Sequence, residues 1–238
     1  MATTSQLGTL ETLKRTSTAT ITSQLLQRGL RNTFMSGLTP LRPDLRMAGY
    51  AFTLRYVPSR EDIGIDVNYD NETNVQRIAV ESIGPDQVLV IDARGELRSA
   101  SLGHILATRI MARGAAGLVT DGALRDSHMF SELDLPAYAA GAHATTSSVM
   151  HHPIELDVPI GCCGVLVLPG DVVVGDAEGV AVIPAALADE VAQAAFEQEE
   201  YEAFVLERVG EGASIKGLYP GGDESRAEFE AWRAGRGA

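Results

Sequence analysis

The chain has 238 residues, 45% of them apolar, which suits one folded domain with tails and leaves enough material for a sizeable core. Its 32 acidic residues against 19 basic ones give a net charge of −13, which argues against a phosphate-backbone binder, so no nucleic-acid partner is expected. An anionic ligand would have to be met by locally clustered arginines.

Residues 1–19 are polar and rich in Thr and Ser, and read as a flexible N-terminal tail. Thr20 can cap a helix over Ile21–Arg28 that Gly29 ends, and 32–43 is loop with two prolines. Arg46–Val57 reads as a strand stopped by Pro58, followed by the charged Ser59-Arg60-Glu61-Asp62, read as a solvated loop. Asn71–Ile83 is an amphipathic helix ended by Gly84-Pro85. Val88-Leu89-Val90-Ile91 is a continuous apolar strand of the kind covered on both faces, and Arg94 in the loop behind it is a secondary candidate for ligand contact. Between Ser101 and Gly114, Leu102, Ile105, Leu106 and Ile110 recur at helical spacing. The lean start of that helix, Gly103-His104-Ile105-Leu106, offers backbone N–H groups to an anion.

Gly117–Thr120 then reads as a short buried strand, broken by the turn dipeptide Asp121-Gly122. Arg125 and Asp126 follow side by side. At the carboxyl end of a strand, a guanidinium can hold a carboxylate bidentately and an aspartate can hold a hard divalent cation. The bland alternative is a solvated turn with Asp126 as a helix cap. His128 lies close to this pair, whereas His143, His151 and His152 show no metal-ligand spacing. Pro136–Ala140 is a short strand, and 158–184 is β throughout, with strands near 163–168, 172–174 and 180–183. The acids in its turns, Asp171 and Asp176 among them, read as structural. The two cysteines, Cys162 and Cys163, are adjacent and cannot frame a zinc site; they read as buried strand residues compatible with a reducing, cytoplasmic setting. Ala185–Val209 is one long helix whose Glu197, Glu199, Glu200 and Glu202 read as a solvated face. Residues 213–238 form a C-terminal extension, with a polar helix carrying Trp232 that is expected to pack on a partner subunit. No apolar leader and no span long enough for a bilayer is found, so no membrane association is expected.

These elements give an α/β fold with a mixed sheet. The run R-G-x-x-G-x-V-x-D-G-x-x-R-D over 113–126, with the Gly103 helix start, Gly164-Val165, Pro169-Gly170-Asp171-Val172 and Gly175-Asp176-Ala177-Glu178-Gly179-Val180, resembles the RraA-like family over roughly residues 15–210. That family holds divalent-metal pyruvate aldolases acting on 4-hydroxy-4-methyl-2-oxoglutarate and 4-carboxy-4-hydroxy-2-oxoadipate, and also the regulator of ribonuclease E activity. The resemblance implies a swivelling β/β/α domain over residues 20–212, with N- and C-terminal helical extensions, assembled as a homotrimer or homohexamer.

The resemblance also implies site roles. Asp126 would hold Mg²⁺ or Mn²⁺. Arg125, with the backbone at Gly103, Ile105 and Leu106, would hold a small anionic 2-oxo acid. Arg60 would face the substrate's anionic tail from an entry loop. An acid of the long helix, Glu199 or Glu202, would reach a neighbouring subunit's site. The family usually has Asp or Glu where this chain has His104, which could bind the metal, act as general base, or simply begin the helix. The expected activity is cleavage of a 4-hydroxy-2-oxo acid to pyruvate, with oxaloacetate decarboxylation as a side activity. The alternative is a non-catalytic oligomer that binds and restrains another protein. No G-x-G-x-x-G follows a strand, so a methyltransferase is not expected.

Overall fold

The computed structural model describes residues 8–64 and 70–236. Two helices open it, α1 (Thr9–Arg15) and α2 (Thr18–Gln27). Two short strands, β1 (Phe34–Met35) and β2 (Thr39–Pro40), lead into the long β3 (Met47–Pro58) and the single turn α3 (Glu61–Gly64). Next come α4 (Val75–Ser82), β4 (Gln87–Asp92), β5 (Ala100–Leu102), α5 (His104–Ala112) and β6 (Gly117–Leu124). A 3₁₀ turn at Ser127–Glu132 is followed by β7 (Ala137–Ala142), β8 (His151–Leu156) and the hairpin of β9 (Ile160–Cys162) and β10 (Val165–Val167). β11 (Val172–Gly175), β12 (Val180–Ile183), α6 (Ala188–Gly210) and α7 (Asp223–Arg236) complete the chain.

The expected α/β class with a mixed sheet is what folds. The main sheet runs β1-β12-β11-β3-β4-β6-β7-β2, with β5 against β6 and β8 against the second half of β3. β3, β4, β6 and β7 are mutually parallel, so their carboxyl ends and following loops gather at one edge of the molecule. β4 shows why its sequence is apolar without alternation. Leu89 and Ile91 pack into the core under α4 and α5, while Val88 and Val90 pack into the opposite core beneath the β9–β10 hairpin. Each such fully buried side chain contributes about 1.5–3 kcal/mol relative to an exposed one. A third core lies between α1, α2 and α6 and the β11–β12 end of the sheet. Among the described residues, no helix is long and apolar enough to cross a membrane.

Three local expectations are corrected. Residues 8–19 are not a flexible tail: α1 and the start of α2 bury Leu13, Thr16 and Thr18 completely or nearly so. Threonines can be buried here because their hydroxyls are satisfied, Thr16 Oγ1 by Thr12 O at 2.9 Å and Thr18 Oγ1 by Asp176 Oδ1 at 2.8 Å. The cap of α2 is accordingly Ser17, whose Oγ accepts from Thr20 N at 3.1 Å. Residues 1–7 of the expected tail lie outside the described residues. Second, Asp121-Gly122 does not end β6, which continues to Leu124 through a register shift against β7 between Thr120 and Ala123. Third, the strand expected at 163–168 is half a hairpin: Cys163 and Gly164, at φ +50° and +74°, turn the chain between β9 and β10. Within the chain, α7 packs on the second half of α6, where Trp232 and Phe229 stand 5.7 and 5.9 Å from Phe204.

Candidate active site

The end of β6 builds the site. The N–H of Arg125 donates to Leu102 O at 2.9 Å, tying the strand end to β5 and so to the start of α5. Asp126 then takes a left-handed backbone, φ +56° and ψ +32°, a conformation that Asp tolerates better than most residues. This turn sets the Asp126 carboxylate beside the Arg125 side chain, with Nε to Oδ2 at 3.4 Å and the two side chains 41% and 35% exposed. An ion pair this long and this exposed contributes little to stability. Both groups stay available to a ligand.

Gly103 faces the pair. A methyl group added at Gly103 would sit 3.3 Å from Asp126 Oδ2 and 3.5 Å from Arg125 Nε, so the missing side chain leaves the approach to both groups open. Gly103 also heads α5 and makes no side-chain cap, so the first-turn N–H groups of His104, Ile105 and Leu106 point out of the helix end without one. A guanidinium, a carboxylate and a helix N-terminus thus converge at the carboxyl edge of the parallel strands, where open α/β sheets place ligands.

Arg125 divides two depressions. A cleft of about 180 Å³ is lined by Arg125, Gly103, Ile105 and Leu106 together with Gln76 and Arg77 of α4 and Thr146-Ser147 of the loop before β8. A shallower hollow on the other side is lined by Arg125, Asp126, Ser127, His128 and His143. Behind the cleft, Gln76 Nε2 donates to Tyr56 Oη at 2.8 Å and to Ser101 O at 2.6 Å, and Tyr56 Oη donates to Ser101 O at 2.9 Å. This buried network fixes β5, α4 and β3 relative to one another.

The bulge in β6 has a supporting role. The Asp121 carboxylate is buried and accepts from Ala93 N at 2.6 Å and Gly95 N at 3.0 Å, holding the loop after β4 against β6. Burial, with the neighbouring Asp92 adding to it, pushes the Asp121 carboxyl above its ordinary value; burial does the same to Asp92. His151 is buried against Tyr56, its ring stacked at 5.2 Å. Arg94 Nη2, which can only donate, lies 3.3 Å from His151 Nδ1, so Nδ1 is the acceptor and Nε2–H donates to Ser99 O at 3.3 Å. Burial lowers the pKa of His151.

The other sequence candidates fall in different places. Arg94 is committed to Met150 O and His151, and is therefore a loop clamp rather than a ligand contact. Arg60 is exposed and paired with Asp62 at 2.5 Å, and lines neither depression. The His104 ring stands edge-on to Phe130 with centroids 6.3 Å apart, and its Nε2 is enclosed with no hydrogen-bond partner among the described residues. Glu199 Oε1 accepts from Ser17 N at 2.5 Å at the start of α2, and Glu202 accepts from Gln198 Nε2 at 2.8 Å and from Tyr219 Oη at 3.5 Å. Within one chain the fold does not bring these two acids to Arg125. Asp171 and Asp176 are structural as expected, holding Leu168 and Ala185 N–H groups and the start of α2 respectively. Gln76, Arg77, Thr146 and Ser147 carry no motif; Arg77 reads in sequence as the polar face of an amphipathic helix.

The family model described as RraA-like, Aldolase/RraA, matches residues 18–182. A 4-hydroxy-4-methyl-2-oxoglutarate aldolase of Thermus thermophilus is 37% identical over 108 residues, 45% of this chain and 65% of its own. A Halalkalibacterium halodurans protein provisionally named for the same activity is 38% identical over 117 residues, 49% of this chain and 55% of its own. The chain therefore spans less than two-thirds of the length of these relatives. Among solved structures, Streptomyces coelicolor RraAS2, described as an unusual member of the RNase ES inhibitor RraA protein family, superposes with a TM-score of 0.73. It is 34% identical, and the match covers 82% of this chain and 94% of that one.

Proposed function

The chain belongs to the RraA-like family, and on that premise we propose that it is a divalent-metal-dependent aldolase that cleaves a 4-hydroxy-2-oxo acid to pyruvate and decarboxylates oxaloacetate as a side reaction. One observation carries this reading: Arg125, Asp126 and the uncapped start of α5 converge around the space left by Gly103.

The donor chemistry fits a hard cation. Asp126 offers oxygen only, and no cluster of three or more His, Cys, Asp or Glu is present among the described residues, which suits Mg²⁺ or Mn²⁺ held by one carboxylate and completed by water and substrate oxygens. When bound at Asp126, such a cation supplies a Lewis acid to the keto oxygen. The rest is done by the chain's own groups. The N–H groups at the start of α5 and the Arg125 fork hold the substrate carboxylate and orient the adjacent keto group. Breaking the C3–C4 bond leaves its electron pair on C3, delocalised onto the keto oxygen as the enolate of pyruvate. Arg125 is placed to stabilise that developing charge, usually the largest catalytic contribution. The C4 hydroxyl loses its proton and becomes the carbonyl of the second product, and protonation of C3 releases pyruvate. Loss of CO₂ from oxaloacetate yields the same enolate.

Among the described residues, the cleft beside Arg125 has no carboxylate or imidazole to accept the hydroxyl proton. His104 keeps its Nε2 enclosed, and we give it no step. Both Glu199 and Glu202 accept hydrogen bonds within their own chain, and we assign proton transfer to one of these two acids of a neighbouring copy in a homotrimer or homohexamer.

The likeness to RraAS2 favours a second reading, a non-catalytic protein that binds and restrains a partner such as a ribonuclease. A coupled assay for pyruvate release from oxaloacetate and from a panel of 4-hydroxy-2-oxo acids separates the two. Turnover with Mg²⁺ that is abolished by EDTA supports the aldolase; no pyruvate from any of them, or a rate unaffected by EDTA, overturns it.

A further inference from the structure

The two depressions beside Arg125 divide the substrate between them. The cleft holds the start of α5, whereas Asp126 lines only the hollow on the other side. A 2-oxo acid with its carboxylate at the start of α5 and its keto oxygen toward Asp126 therefore crosses Arg125. Its C3 and C4 come to lie in the hollow. His143 enters that hollow from the carboxyl end of β7, half-buried and fixed twice. Its backbone N–H donates to the carbonyl of Leu124, the residue before Arg125, at 3.1 Å. Its ring Nδ1 accepts from Thr145 N, also at 3.1 Å. An Nδ1 that accepts carries no hydrogen, so the ring's one N–H is at Nε2, turned away from the 143–145 backbone. That N–H has no partner among the described residues.

Resting on the aldolase reading, we propose that His143 is a catalytic residue whose Nε2–H donates a hydrogen bond to the C4 oxygen of the substrate as the C3–C4 bond breaks. The C4 hydroxyl gives its proton to the acid of the neighbouring copy, which leaves negative charge on that oxygen. The charge passes on as the C3–C4 electron pair moves to the keto oxygen and C4 becomes a carbonyl carbon. His143 keeps its proton throughout. A fixed donor binds the charged oxygen more strongly than the hydroxyl, which is the condition for lowering the barrier. Exchange of the methyl protons of pyruvate uses the same enolate and has no C4 oxygen, so it makes no use of the His143 N–H.

The test compares Mg²⁺-dependent cleavage of 4-hydroxy-4-methyl-2-oxoglutarate, the substrate in the name of the Thermus thermophilus relative, with pyruvate methyl exchange in D₂O on the same samples. Two variants separate chemistry from support. His143→Asn can set an amide oxygen where Nδ1 accepts from Thr145 N, and puts no donor at the Nε2 position. His143→Gln reaches the Nε2 position with an amide N–H and gives up the Nδ1 acceptor. In His143→Asn the ratio of cleavage to exchange is expected to fall about 100-fold, the size of losing one donor to a developing oxyanion. In His143→Gln about 10-fold of that loss is expected to return. An unchanged ratio in His143→Asn, whether or not both rates fall, or a glutamine variant no better than the asparagine one, overturns the role of His143. A wild-type protein that exchanges the methyl protons without cleaving this acid also overturns it, and leaves the enolate site standing. A wild-type protein that does neither overturns the aldolase reading, and the His143 assignment falls with it.

Discussion

Gly103→Ala separates the site from the fold more cleanly than any charge removal. The added methyl would sit 3.3 Å from Asp126 Oδ2, 3.5 Å from Arg125 Nε and 3.7 Å from Arg125 Cβ. The backbone at this residue, φ −123° and ψ 174°, is extended and open to alanine without strain. Two small terms oppose each other in stability. Alanine restricts the unfolded chain, worth about 0.4–1 kcal/mol in its favour, but is a poorer helix cap than glycine. The net change should stay within about 1 kcal/mol, or about 4 °C in Tm for a domain of this size. The functional cost is larger, because the methyl fills the approach to both reacting groups and displaces them by tenths of an ångström. Misplacement of about 1 Å can cost about 100-fold in rate, so kcat/KM for oxaloacetate should fall about 10- to 100-fold. Pyruvate release and a thermal melt on the same sample read both quantities. Unchanged kcat/KM in a folded Gly103→Ala protein would refute the placement of substrate against Gly103.

Asp126→Ala should retain the wild-type Tm within a few degrees and lose metal-dependent pyruvate release; full activity in that variant would remove Asp126 from the metal. Arg125→Lys keeps the charge and loses the fork, so both a higher KM and a lower kcat for oxaloacetate are expected, and unchanged kinetics would make Arg125 structural. His151 sets a limb of the stability–pH profile. Burial lowers its folded pKa, so below the unfolded value of about 6.5 the unfolded state binds more protons and stability falls with pH, levelling off below the folded pKa. Asp92 and Asp121, whose pKa values are raised, act in the opposite sense, gaining stability as pH falls toward the ordinary carboxylate range. The slope that disappears in His151→Gln isolates the histidine, and identical Tm–pH curves between pH 5 and 7 would contradict the assignment. If Glu202 serves a neighbouring site, Glu202→Gln and Asp126→Ala proteins, each inactive alone, should recover activity when dissociated and reassembled together; no recovery in mixed oligomers would confine the site to one chain.

Much of the site was legible because it is local in sequence. Gly103, Arg125 and Asp126 sit at a helix start and a strand end, and β5 pairing with β6 brings them together. Gln76, Arg77, Thr146 and Ser147 were not legible, since they reach the cleft from two distant segments through the parallel register of β3, β4, β6 and β7. The same distinction runs through the fold. The unbroken apolar run of β4 announced a strand covered on both faces, and it is one. Asp121-Gly122 misleads because its dipeptide is a turn signal, while its buried carboxylate is satisfied by Ala93 and Gly95, which lie across the sheet. The Thr-rich stretch before α2 looks solvated until Asp176, more than 150 residues away, is seen accepting from Thr18.

Stabilisation of a pyruvate enolate by Arg125 and a cation at Asp126 is tested most directly by hydrogen exchange into pyruvate itself. Incubated with pyruvate and Mg²⁺ in D₂O, the wild-type protein should exchange the methyl protons faster than buffer, followed by NMR, while the Asp126→Ala protein and an EDTA-treated sample should not. Methyl exchange at the buffer rate in the wild-type protein, or exchange that persists in Asp126→Ala, would contradict the account.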